Sequence, residues 1–407
     1  MRVCRWRPGS RIWVSRRRYM MRAPVRGTFG AIGMIALRLQ DPTPFNHLPF
    51  RPFPKTWPDN APKEILADFL TEYATALDLD VVPKTRCTGA SYDSNAERWT
   101  VELQTESTTR SVTCRNLVVA TGKFGKARLP DFKGLNSFDG PVQHASQFRN
   151  GAAFSGRKVA VIGAGNSAFD IAQDLAVHGA ESTLVQRSPI SLISQKTYSD
   201  MLLAHFPGDV GRSGRPNATE RAIHAMPARL HLRAAAMALP AIREADKTLH
   251  ADLSRAGLML DDGVDGTGVF GQYHLSGTGF VIDQGAGDWI ADGRIAVRTG
   301  AVQSFESGGL RLENGAMIPA DAVICATGFQ PFNSVLQELL GTDVTEQIGP
   351  VWGIGHGSAG DPGPWTGEQR NVWAPTNLPG LWFHGGSLGP SRFYSHLLAL
   401  QIAVGPR

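Results

Sequence analysis

The chain has 407 residues, which is enough for two domains with sizeable cores, and its 42% hydrophobic, 19% charged composition is that of an ordinary globular protein. No apolar run approaches the roughly 20 residues of a membrane span. The cysteines form no C-x-x-C pair, which excludes a metal knuckle and a redox dithiol. We therefore expect a cytoplasmic protein with no membrane span and no metal site.

The basic character of the sequence comes from its first 40 residues, which hold ten arginines and no acidic residue. The remainder carries 31 basic and 36 acidic residues, so a nucleic-acid-binding surface is not expected there. The basic segment is open to four interpretations: a mitochondrial transit peptide, a basic arm, disorder, or translation in a wrong reading frame.

Three segments flank a central nucleotide-binding pattern, two before it and one after it. A Pro-rich stretch at 41–49 precedes an amphipathic helix with apolar residues at helical spacing. Residues 117–122 and 322–328 are both apolar strands that end in Ala-Thr-Gly. These endings are Ala120, Thr121 and Gly122 in the first, and Ala326, Thr327 and Gly328 in the second.

A dinucleotide fingerprint lies between these two strands. The apolar run 158–162 leads into residues 163–168, which read G-A-G-N-S-A, and apolar residues then recur at helical spacing as far as Leu175. In such a turn the glycines allow a tight bend and a close approach of the pyrophosphate, and a small third residue lets the helix pack on the strand. The predicted contacts are Gly163, Gly165, Asn166, Ser167 and Ala168.

The residues after the next strand, 182–185, indicate which cofactor binds. NAD enzymes carry a carboxylate there for the ribose 2′-hydroxyl, whereas this chain has Arg187 and Ser188. An arginine and a hydroxyl suit a 2′-phosphate, so the sequence predicts NADPH. The alternative for Arg187 is a solvated strand end.

Together these segments resemble the flavin-containing monooxygenase superfamily. Residues 138–148 fit its F-x-G-x-x-x-H-x-x-x-[YF] signature, and the two Ala-Thr-Gly strands correspond to its crossings between the FAD and NADPH domains. The segment 378–395 is similar to the family's C-terminal FAD segment, which adds Gly386 and Ser391 as FAD contacts. Among the branches, the chain looks closest to the bacterial and plant indole-pyruvate monooxygenases.

The resemblance implies an α/β fold with two doubly wound Rossmann-like domains. The expected FAD domain comprises residues 37–150 and 329–407, and the NADPH domain 151–328 with a helical insertion at about 195–255. The resemblance also implies an enzyme in which NADPH reduces FAD and a flavin C4a-hydroperoxide transfers oxygen from O₂ to a small nucleophilic substrate. Neither the substrate nor the oligomeric state can be inferred from the sequence.

The resemblance also assigns roles to two polar residues. Asn46 would lie beside the flavin and is the candidate catalytic residue, although a simple turn asparagine is the competing interpretation. His144, inside the signature, is expected to support the domain junction rather than perform acid–base catalysis.

The family's opening strand and G-x-G-x-x-G loop are not found in this sequence, since residues 27–33 have the wrong glycine spacing. Shifting the frame of a back-translation of residues 27–36 permits a family-like segment. We therefore expect a frameshift near Ala36, with residues 1–36 foreign to the fold and the first FAD βαβ unit missing. Weak FAD binding and low activity would follow.

Two rival functions remain. A pyridine-nucleotide disulfide reductase would need a C-x-x-C pair beside the flavin, which this sequence does not have. A non-catalytic remnant that binds only NADPH stays open.

Overall fold

The computed structural model describes residues 18–20, 34, 37–122, 126–205, 218–353 and 368–405. Of the segment 1–36, which was expected to lie outside the fold, only residues 18–20 and 34 are described. The rest of that prediction, including the glycines at 27–33, lies outside the described residues. Within the described part, no helix is long and apolar enough to cross a membrane.

The central element of the fold is a five-stranded parallel sheet in the order β12-β9-β8-β16-β7. Its strands are β7 (Val142–His144), β8 (Lys158–Ile162), β9 (Glu181–Gln186), β12 (Ile295–Thr299) and β16 (Ala322–Cys325). The last four residues of β8 and all of β16 are buried. Their continuous apolar sequence reflects this, because parallel strands are covered on both faces.

Helix α2 (Asn166–Val177) follows β8 and packs on the sheet, as the sequence predicts. Its apolar stripe, including Ala168, Ile171 and Leu175, is almost completely buried in the main core. The helix ends at Val177, His178 is its C-cap, and Gly179 follows with a φ of +81°. A glycine just beyond a helix end takes this left-handed conformation without the strain a side chain would add.

The described part of the expected insertion is mostly helical. It contains α3 (Gln195–His205), α4 (Ala218–His224), α5 (Ala228–Ala245) and α6 (Lys247–Arg255). Helix α7 (Gly268–Leu275), β11 (Phe280–Asp283) and α8 (Ala286–Ala291) return the chain to β12, and β11 pairs with β10 (Ser191–Ser194).

A small antiparallel sheet covers the other face of the main sheet. Its strands are β13 (Val302–Glu306), β14 (Gly309–Leu312) and β15 (Met317–Pro319).

Residues 18–20, 37–150 and 329–407 are called the FAD-side half below. This half contains two separate pairs of parallel strands. β1 (Arg18–Met20) pairs with β2 (Asp80–Val82), and β6 (Leu117–Val119) pairs with β17 (Leu381–Phe383). Among the described residues no strand joins the two pairs. In the five-stranded sheet, β8 joins β9 to β16, and it is the strand that carries the glycine fingerprint. The described FAD-side strands include no counterpart of β8.

A second core unites the segments on either side of the central domain. Trp99 is fully buried, and its indole nitrogen donates to the carbonyl of Pro379 at 3.0 Å. Helix α1 (Lys63–Ala76) precedes the elements around this core, which include β3 (Arg86–Asp93), β4 (Arg98–Gln104), β5 (Thr109–Cys114), α9 (Phe332–Leu340), α10 (Thr342–Ile348) and α11 (Leu388–Val404). Residues far apart in sequence therefore share one core.

The two connections between the halves run side by side. The amide of Arg128 donates to the carbonyl of Gly328 at 3.0 Å, and that of Gln330 donates to Lys126 at 2.8 Å. Ala127 and Phe329 form an antiparallel bridge.

Candidate functional site

The predicted nucleotide-binding residues lie at one edge of the five-stranded sheet. Because its strands are parallel, the ends of β8, β9 and β16 meet at that edge. From β8 the chain builds β9 and β12 on one side, then returns to place β16 on the other. Ligands of open α/β sheets bind where the strand order reverses in this way.

The glycines of the fingerprint meet two different requirements. Gly163 has a φ of +129°, and a Cβ there would lie 2.4 Å from the carbonyl oxygen of Ala326. This glycine therefore allows two loops to pass in contact. A Cβ on Gly165 would meet nothing within 4 Å, so open space lies beside this residue at the start of α2. That space is what the approach of a pyrophosphate to the backbone requires.

The start of α2 supplies donors for an anion, since the first amides of a helix lack partners within it. Ala168 is fully buried against the sheet, whereas Ser167 is exposed. The Asn166 Oδ1 accepts hydrogen bonds from Gln40 Nε2 at 3.0 Å and from the Ile282 amide at 2.9 Å. An open glycine, a helix N-terminus and polar side chains together fit a dinucleotide phosphate.

Arg187 and Ser188 directly follow β9, and both are exposed. Gln186 just before them is fully buried, and its side chain exchanges two hydrogen bonds of 2.8 Å with the backbone of Met259. This anchor fixes the end of the strand. Among the described residues the Arg187 guanidinium has no recorded partner, so it is available to a ligand.

The second Ala-Thr-Gly segment lies against this site and is held by His144. The Nε2 of His144 donates to the Gly328 carbonyl at 2.9 Å, and its Nδ1 accepts from the Ser146 amide at 3.1 Å. Burial lowers the pKa of His144, so a neutral ring fits both contacts. These bonds agree with the structural role expected for His144 at the junction.

The FAD-side candidates gather at the ends of β6 and β17. His384 donates its amide to the Val119 carbonyl at 3.0 Å, which brings the segment Ala120, Thr121 and Gly122 beside Gly385, the residue before Gly386. Gly122 has open space where a Cβ would stand. The Ser391 hydroxyl donates to the Gly385 carbonyl at 2.8 Å.

Two tryptophan rings cover the other side of Gly385 and Gly386. A Cβ on Gly385 would lie 2.7 Å from the ring of Trp352, and one on Gly386 would lie 3.3 Å from the ring of Trp373. The described residues leave this junction open on the Gly122 side.

Asn46 lies in a 3-10 turn, Thr43–Asn46, and is 2% exposed. Its Nδ2 donates to the Asp41 carbonyl at 2.9 Å and to the Pro42 carbonyl at 3.3 Å. Because the amide nitrogen is bonded within its own loop, these contacts favour the turn interpretation. A catalytic role for Asn46 stays a prediction.

Gln40 and Asp41 were not predicted as site residues. Both lie in the loop 40–49, called the FAD-side loop, and both link it to the central domain. The Tyr198 hydroxyl donates to Asp41 Oδ1 at 2.5 Å, and Gln195 Nε2 donates to the Gln40 carbonyl at 2.9 Å. Burial raises the pKa of Asp41, although the hydrogen bond from Tyr198 opposes this shift. The partners are more than 150 residues away in sequence, so no local pattern marks them.

A cavity of about 420 Å³ lies elsewhere, between β10 and the helical insertion. Arg243, His250 and Asp262 are among the residues that line it. None of the predicted site residues does, so the nucleotide chemistry is assigned to the sheet edge.

Comparison with known proteins places these features in a family. Residues 49–205 match the family model of the pyridine nucleotide-disulphide oxidoreductases. Over 296 residues the chain is 28% identical to a probable indole-3-pyruvate monooxygenase, YUCCA10, of Arabidopsis thaliana, covering 72% of this chain and 70% of that protein. Indole-3-pyruvate monooxygenase YUCCA1 of Oryza sativa is 29% identical, with 72% of this chain and 66% of the relative covered. These matches support an assignment of the chain to the flavin-containing monooxygenase superfamily.

Solved structures agree with this superfamily at the level of the fold. A flavin-containing monooxygenase from Stenotrophomonas maltophilia superposes with a TM-score of 0.57 at 19% identity, covering 94% of this chain and 88% of that one. A steroid monooxygenase bound to NADP gives a TM-score of 0.64 at 20% identity, covering 95% and 80%. The predicted α/β fold with Rossmann-like domains is confirmed. The chain spans about two thirds of the length of the curated relatives it matches.

The comparisons also bear on the rival interpretation as a disulfide reductase. The matched family model names disulfide chemistry, but the sequence contains no two cysteines at C-x-x-C spacing. The described cysteines, Cys87, Cys114 and Cys325, are free, and burial raises the pKa of each thiol, which disfavours a reactive thiolate.

Proposed function

We propose that this chain acts as an NADPH- and FAD-dependent monooxygenase on a small nucleophilic organic substrate. Its relatives include indole-3-pyruvate monooxygenases, and the proposal for this chain stays at the broader substrate class. When bound, the two cofactors supply the electrons that activate O₂ for transfer of one oxygen atom. We also propose a cytoplasmic location.

The observation that carries the proposal is the edge formed by β8, β9 and β16. Gly165 leaves room for a pyrophosphate, the start of α2 faces that room, and the exposed Arg187 follows the adjacent strand. We assign Gly163, Asn166, Ser167, Ala168 and Ser188 to the same NADPH site.

For the FAD site we propose Ala120, Thr121 and Gly122 with Gly386 and Ser391. Ala326, Thr327 and Gly328 would form the second crossing beside NADPH. The proposed domains are 37–150 with 329–407 for FAD, and 151–328 for NADPH. The shared core around Trp99, built from segments on both sides of the central domain, supports this division.

The function is tested by supplying the purified chain with FAD and recording O₂ consumption with NADPH. We expect slow NADPH-dependent O₂ consumption that rises with added FAD, because excess FAD offsets weak flavin binding while the chain's own residues hold NADPH. Saturating NADPH binding with no O₂ consumption at high FAD would instead support a non-catalytic NADPH-binding protein.

Arg187→Ala should remove most of the preference for NADPH over NADH. A hydrogen bond to a charged group contributes about 1.5–3 kcal/mol, so the ratio of the two affinities should fall by roughly 10- to 150-fold. Fluorescence titration with both cofactors measures the ratio. Arg157→Ala is the matched control, since it removes an exposed arginine just before β8, at the opposite edge of the sheet. An unchanged ratio in Arg187→Ala would refute the 2′-phosphate assignment.

A further inference from the structure

The contact between Gln40 and Asn166 joins the FAD-side loop directly to the NADPH fingerprint. Gln40 lies 126 residues before Asn166, and its Nε2 donates to Asn166 Oδ1 at 3.0 Å. Asn166 is the first residue of α2. The FAD-side loop thus reaches the helix end to which we assign the cofactor's phosphates.

The orientation of the Asn166 amide is fixed by two donors. Its Oδ1 accepts both from Gln40 Nε2 and from the Ile282 backbone amide, which cannot become an acceptor. A flipped amide would set Nδ2 against both of these donors, so the side chain is held with Nδ2 turned away from them. Within the described part of the chain, Nδ2 has no recorded acceptor and is therefore available to an anionic ligand.

Gln40 is itself held in place by neighbouring hydrogen bonds. Its carbonyl accepts from Gln195 Nε2 at 2.9 Å, and the adjacent Asp41 accepts from the Tyr198 hydroxyl at 2.5 Å. Both donors are on α3, the first helix of the insertion. Two successive residues of the FAD-side loop are thereby tied to the central domain.

We propose that Gln40 is a positioning residue of the NADPH site, which orients the Asn166 amide so that its Nδ2 and the start of α2 present donors to the cofactor's phosphates. The inference rests on the proposed function and extends the NADPH site to a residue of the FAD-side half. Gln40 acts through Asn166 and need not touch the cofactor.

NADP⁺ affinity, measured by calorimetry without flavin, tests this role. Gln40→Leu should weaken binding roughly three- to tenfold, the effect of one hydrogen bond between neutral groups. Gln40→Glu, which is nearly isosteric, should weaken binding at least tenfold at pH 8, because its carboxylate faces Asn166 Oδ1 and adds negative charge near the phosphates. As the pH falls toward the ordinary glutamate pKa of about 4.3, the protonated side chain can donate again. The ratio to wild type should then recover.

Two further variants separate positioning from general damage. Gln104→Leu makes the same substitution at an exposed glutamine that ends β4, outside the proposed NADPH site, and should leave NADP⁺ affinity within twofold of wild type. In an Asn166→Ala background, Gln40→Leu should have no additional effect, because its partner is already gone.

Three results would overturn the inference: wild-type affinity in both Gln40 variants at pH 8, an equal loss in Gln104→Leu, or additive effects of Gln40→Leu and Asn166→Ala. A wild-type chain that binds no NADP⁺ would instead overturn the proposed function.

Discussion

Gly165→Ala should weaken NADPH binding at least tenfold while leaving the fold intact, whereas Gly163→Ala should destabilise the protein itself. Gly165 has φ and ψ of −87° and −176°, which alanine adopts readily, and its Cβ would enter open space. That space is where the pyrophosphate approaches, so the added methyl group should displace the ligand. At least a tenfold loss of affinity is expected with an unchanged melting temperature.

Gly163→Ala is the matched comparison in the same loop. Its φ of +129° strains any side chain, and its Cβ would lie 2.4 Å from the Ala326 carbonyl oxygen, so backbone must move. Strain of this kind costs about 1–3 kcal/mol, and the clash adds to it. Thermal unfolding and NADPH titration of both variants check the pair. A Gly165→Ala variant that binds NADPH like wild type would show that the space beside this glycine is not the phosphate site.

Asp170→Asn should stabilise the protein at pH 8 and have little effect near pH 4. Burial, reinforced by the charge of Asp283, raises the pKa of Asp170 from 3.8 to about 7. Between these values the folded state keeps a proton that the unfolded state has lost, so the stability of wild type falls as the pH rises. At 1.36 kcal/mol per pH unit this loss reaches about 4 kcal/mol at pH 7 and above, and the neutral asparagine avoids it.

Urea unfolding at pH 4, 6 and 8 measures this difference. Asp288→Asn is the control, because it removes an exposed carboxylate near Asp283 without changing the buried one. Its effect should be small at every pH. If Asp170→Asn gave the same difference at pH 4 and pH 8, the buried carboxyl would not be the group that titrates.

The NADPH half of the fold was predictable because its signals are local. The run from Lys158 to Gly179 combines a buried strand, a glycine turn, an amphipathic helix and a glycine stop, and each has its own physical cause within a few residues. Arg187 was also predictable, since its position after β9 follows from the βαβ connection.

The links between the two halves were not predictable in this way. Gln40 and Asp41 lie in a Pro-rich loop with no periodic pattern, and their partners Asn166 and Tyr198 are more than 120 residues away. The local sequence around Asn46 likewise permitted both a catalytic and a turn role. Only the hydrogen bonds of its Nδ2 to Asp41 and Pro42 favour the turn.

The most direct test of the account is a titration of the purified wild-type chain with NADPH and with NADH, followed by fluorescence. The central claim is that the edge of β8, β9 and β16, with Arg187 beside it, is an NADPH site. We predict saturable NADPH binding that is at least tenfold tighter than NADH binding, the contribution of about 1.5 kcal/mol or more from the 2′-phosphate contact. Equal affinity for the two cofactors, or no binding of either, would contradict it.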